Sequence, residues 1–102
     1  MQRRCWIGRV VLLCAGFGAS TAFAASVDEL RADVEASRSV AVWEQCATID
    51  RVAMPAADLW CGIAAVDTGH AGEGVLALER YSLLNPDDAR GRLELARAYF
   101  YA

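Results

Sequence analysis

No lysine occurs anywhere in this chain, and there is a single histidine, His70. A lone histidine in a turn, with no CxxC pair beside it, gives no His/Cys set for zinc. It also leaves Ser82 without a His or Lys partner on its own helix, so no nucleophilic triad is written into the sequence. Glu73, Glu79, Asp87 and Asp88 are accounted for as helix-end and surface charges. The sequence therefore points away from an enzyme and implies neither cofactor nor metal. Alternating apolar and polar residues, the mark of a half-buried strand, are missing as well. Only two prolines, Pro55 and Pro86, interrupt the chain, and both fall where helical patterns break.

A long apolar run is also lacking. Arg3, Arg4 and Arg9 form a basic start, Val10–Gly18 is uncharged and mostly apolar, and Ala22-Phe23-Ala24 is a small-x-small site. This is the plan of a secretory signal peptide, residues 1–24, cleaved after Ala24. The competing interpretation is an uncleaved membrane anchor. Nine residues of helix cover only about 14 Å of a hydrocarbon layer roughly 30 Å thick. Counting every uncharged residue from Val10 to Ala25 gives sixteen, still short of the ~20 that a spanning helix needs. Leu13 before Cys14 is too large for a lipoprotein signal, and Arg3-Arg4 only loosely resembles a twin-arginine one.

Cleavage leaves Ala25–Ala102, one small domain with seven arginines against thirteen acids, a net charge of −6. That balance is poorly suited to phosphate backbones, so no nucleic-acid partner is expected. Two cysteines remain, Cys46 and Cys61. In an exported chain an even pair reads as a disulfide, although free Cys also behaves as a small core hydrophobe.

The mature chain reads as all-α. Ser26 and Glu29 form a capping box ahead of Leu30 and Val34, and Val40, Trp43, Cys46 and Ala47 recur at helical spacing. Ser37-Arg38-Ser39 does not decide between one helix and two over 25–54. Pro55 suits the first turn of a helix running to about Thr68, with Gly69 as its stop. A further helix is expected over Gly74–Leu84, ended by Asn85-Pro86. Asp87-Asp88 then supply negative charge at the N-terminus of a last helix carrying Leu93, Leu95, Ala96, Tyr99 and Phe100. Connections this short favour antiparallel neighbours.

Pro55 and Ala89, where two helix–turn patterns begin, lie 34 residues apart, the period of one helical repeat type. Residues 55–88 resemble a tetratricopeptide repeat and 89–102 the first helix of another, with 25–54 as a degenerate repeat or cap. Cys61-Gly62 and Leu95-Ala96 fill the family's Leu-Gly slots, Tyr99 its aromatic slot, Gly74 a small slot, and Pro86 closes the repeat. Four positions depart from the pattern: Asp58 and Arg92 stand for a bulky residue, Ala65 for an aromatic and Tyr81 for a small one. Stepping back one period makes Glu35–Asp50 a second helix, with Ala47 in a small slot.

The resemblance implies stacked antiparallel hairpins forming an α-solenoid, and a protein or peptide partner in a concave groove lined by first helices. Those positions are Ala56, Leu59, Ile63 and Val66, then Arg90, Leu93, Arg97 and Tyr101. Two arginines and a tyrosine among apolar residues would suit an extended peptide bearing an acidic group. The same arginines also fit a plain solvated helix face. The stretch from Gly62 to Phe100 is similar to exported repeat proteins of Gram-negative bacteria, including the surface lipoprotein assembly modifiers. In those proteins a periplasmic repeat region precedes an outer-membrane barrel, so the expectation is the N-terminal part of a longer periplasmic scaffold.

Overall fold

The computed structural model describes residues 26–102; the expected signal peptide and its cleavage point lie outside the described residues. Five helices make up the described chain: α1 (Val27–Glu35), α2 (Ser39–Cys46), α3 (Ala57–Asp67), α4 (Ala71–Leu84) and α5 (Ala89–Tyr101). No strand occurs among the described residues, as the missing alternation implies.

The helix boundaries follow local chemistry. Ser26 Oγ accepts the Glu29 N–H at 3.1 Å while the Ser26 N–H donates to Glu29 Oε1 at 3.0 Å, so the expected capping box starts α1. Ser37 then adopts φ +65°, a left-handed backbone that stops a helix of L-residues. Two helices therefore occupy the segment that the sequence left undecided. The Asp50 carboxylate accepts the Val52 and Ala53 N–H groups, an Asx turn that carries the chain toward Pro55. Helix α3 begins at Ala57, two residues after the proline, because Met54–Ala56 are still in the turn. Gly69, at φ +88°, closes α3. Helix α4 starts at Ala71, three residues before the expected Gly74, since the turn at Gly69 and His70 is already complete. Asp88 caps α5 by accepting from the N–H groups of Arg90 and Gly91.

Helix α3 is the centre of the fold. All ten residues from Ala57 to Val66 are buried, and the helix packs against each of the other four. Helix α4 also packs on α5, and α1 on α2. Leu30, Val42, Cys61 and Leu78 are the largest fully buried side chains.

Close approach depends on missing Cβ atoms. A Cβ on Gly62 would lie 2.5 Å from Leu78 Cγ, and one on Gly74 would lie 2.7 Å from Val66 Cγ2, so α3 and α4 interlock through two glycines. The α4–α5 contact uses the reverse pairing of sizes. Tyr81, large where the repeat pattern has a small residue, lies against Gly91, whose Cβ would meet the ring at 2.8 Å. The Tyr81 hydroxyl donates to the Asp88 carboxylate at the start of α5.

The Cys46–Cys61 disulfide joins the end of α2 to α3, with the two Cα atoms 5.9 Å apart.

Candidate functional site

Charged residues gather into two nodes, one on each side of α3. The first centres on Asp58, which is 3% exposed. Arg80 of α4 grips it with two hydrogen bonds, Nε to Oδ2 at 3.1 Å and Nη2 to Oδ1 at 3.0 Å. Arg51, from the turn before α3, reaches the same carboxylate at 3.3 Å and the Cys46 carbonyl at 3.2 Å. The paired hydrogen bonds to Asp58 hold the Arg80 guanidinium above its ordinary pKa. Asp58 stands where the repeat pattern has a bulky residue; here an ion-paired carboxylate fills the space and ties α3 to both neighbours. A buried charge is tolerated only when it is paired and hydrogen-bonded in this way.

The second node lies between α5 and the C-terminal end of α3. Glu94, which is buried, accepts from Arg90 Nε and Arg97 Nε, each at 2.9 Å. Arg97 Nη2 continues to Asp67 at 2.9 Å, and Asp67 accepts the Ser39 hydroxyl at 2.7 Å. The Arg90 guanidinium also sits 5.3 Å from the centre of the Trp60 ring, within cation–π range. Two guanidiniums meet two carboxylates, so this node is balanced internally.

The expected groove residues separate into three kinds. Leu59, Ile63 and Val66 are buried core of α3. Arg90 and Arg97 hold α5 to the fold through Glu94 and Asp67. Leu93 and Tyr101 are exposed on α5, and Ala56 is exposed just ahead of α3. Buried α5 residues are Gly91, Glu94 and Ala98. Leu93 and Phe100 stand on the opposite side, 65% and 81% exposed; at 100° per residue Ala96 completes that outer stripe. Tyr99, also exposed, donates its hydroxyl to Glu79 of α4.

Sequence patterning did not single out Arg51 or Arg80. The signal available was Asp58 itself, an acid beside the apolar run Leu59–Val66, which requires a cation from elsewhere in the chain. Beside this pair, Val52 and Pro55 of the turn and Leu83 and Leu84 of α4 border an open hollow of about 390 Å³ over Arg51, Asp58 and Arg80. Near its other end α4 faces Trp43 of α2, whose ring stacks on His70 with centroids 4.2 Å apart.

Among the described residues no three His, Cys, Asp or Glu side chains converge as a metal set, and no helix is long and apolar enough to cross a membrane. No protein-family model matches the chain, and no similar protein emerges among the curated proteins or the solved structures.

Proposed function

We propose that the mature chain is a periplasmic scaffold of the tetratricopeptide type that binds protein or peptide segments and performs no chemistry of its own. One observation carries this reading. Each helix packs on the next along the chain, α1 on α2, α2 on α3, α3 on α4 and α4 on α5, as in consecutive antiparallel hairpins. Successive odd-numbered helices also pack side by side, α1 on α3 and α3 on α5. Helix α2 does not keep the repeat period, since Ala47 is exposed at its end. Stacked repeats act through the surfaces they present, and the outer stripe of α5 is such a surface. An oxidised Cys46–Cys61 pair suits an exported chain.

Two measurements test the proposal. Mass analysis of protein exported by a Gram-negative host should find an N-terminus at Ala25; recovery of the intact chain anchored in membrane removes the periplasmic assignment. A randomised-peptide display selection against the exported, disulfide-bonded chain should enrich a consensus sequence. Failure to enrich any sequence over an unrelated helical protein refutes the scaffold.

A further inference from the structure

We propose that the furrow running from the turn before α3 and the C-terminal end of α4 toward Trp43 of α2 binds an extended peptide bearing an aliphatic side chain next to a carboxylate, on a different surface from the groove of first helices. The inference rests on the interaction-scaffold reading and names the site and its ligand chemistry.

Three hollows line this furrow, and all three include Arg51. The first, about 390 Å³, has aliphatic walls of Val52, Pro55, Leu83 and Leu84. The second shares Arg80 with it and runs past Leu76 and Glu73 to Trp43. The third continues from Trp43 over Ala47 and Glu44. A volume of this size lies in the range of small-ligand pockets, which are mainly apolar with a few fixed polar groups.

Two features select the ligand. Val52 and Leu83 are 92% and 82% exposed, so a matching aliphatic side chain would take both from water. At the floor, two guanidiniums share a single carboxylate, Asp58. Half of the Arg80 side chain faces solvent, so its guanidinium is within reach of a ligand in the hollow. Within the first hollow this sharing leaves one positive charge in excess beneath an apolar wall, with Glu73 and Glu44 confined to the other two hollows, and it favours one further carboxylate there, in contrast to the balanced Arg90–Glu94–Arg97–Asp67 node. The polar and aromatic continuation past Glu73 and Trp43 suits a peptide backbone better than a hydrocarbon tail.

The test is fluorescence anisotropy on the exported, disulfide-bonded chain. The probe is a dye-labelled short peptide, blocked at both termini, with leucine–glutamate–leucine at its centre among glycines and serines. Saturable binding should weaken at least about tenfold when glutamine replaces the glutamate, as expected for loss of a charge-assisted bond. In Arg80→Gln protein that circular dichroism shows to be folded, both peptides should bind measurably and alike. Leu83→Asp should abolish binding while leaving the fold intact, because the side chain is on the surface. Equal affinity for the two peptides, or binding that survives Leu83→Asp, overturns the proposal. Binding lost in Leu93→Asp but kept in Leu83→Asp moves the peptide to α5 and also overturns it. No binding at all does the same, whereas the scaffold reading stands or falls separately on the display selection.

Discussion

Removing the Cys46–Cys61 link should cost this domain a large part of its stability. The two residues close a loop with a sequence separation of 15, for which chain entropy gives about 3 kcal/mol. Domains of this size typically have a total stability of roughly 5–15 kcal/mol, with small ones toward the lower end. A change of 1 kcal/mol moves the Tm of a small domain by roughly 4–8 °C, so reduction should lower it by about 12–24 °C. Cys46→Ala with Cys61→Ala is the cleaner perturbation, because both positions are buried and Ala adds no unpaired polar group. Thermal melts followed by circular dichroism, on oxidised, reduced and doubly substituted protein, supply the assay. Thiol labelling before reduction should find neither cysteine reactive. If oxidised and reduced samples melt within about 2 °C of each other, the loop does not constrain the unfolded chain as this entropy estimate assumes. Labelled thiols in the exported protein would remove the link altogether and return both residues to core packing.

Asp58→Ala should destabilise by about 1.5–3 kcal/mol in chemical denaturation, the cost of losing hydrogen bonds between charged groups; a loss under about 1 kcal/mol would mean that Arg51 and Arg80 are satisfied by solvent. Burial, followed by the hydrogen bond to Asp88, pushes the Tyr81 phenol up to about 12, while that hydrogen bond holds Asp88 below the usual carboxylate range. The Tyr81 contribution is therefore complete below pH 10 and lost as pH rises from about 10 to 12. The Asp88 contribution is lost as pH falls through its lowered pKa. Tyr81→Phe should flatten most of the alkaline loss in a stability–pH series, and an unchanged slope would assign that loss elsewhere, Tyr99 being the next candidate through its bond to Glu79. Gly62→Ala should lower stability by about 1 kcal/mol, since overpacking of about 1–3 kcal/mol outweighs the ~1 kcal/mol gained in helix propensity. Gly72→Ala, with open space around it, should be neutral or stabilising, and equal melting temperatures for the two variants would contradict the packing at Leu78.

Local patterning carried much of this fold. The capping box at Ser26 and Glu29, the breaks at Gly69 and Pro86 and the charge at Asp88 each act within a few residues, so they are legible without knowing what packs where. Boundaries shifted where the tertiary chain intervened: α4 took in Ala71–Glu73, and the left-handed Ser37 split the first segment. Which face of each helix is covered depends on neighbours distant in sequence. Leu59, Ile63 and Val66 looked like groove residues from their register, but α3 is surrounded and keeps them inside. Arg90 and Arg97 looked like ligand contacts, yet Glu94 and Asp67 claim them. Only the packed structure pairs Tyr81 with Gly91, or brings Arg51 and Arg80 from two elements onto Asp58. Side-chain spacing within a helix is set by its 3.6-residue period, whereas partners across helices are chosen by shape and charge that no local window contains.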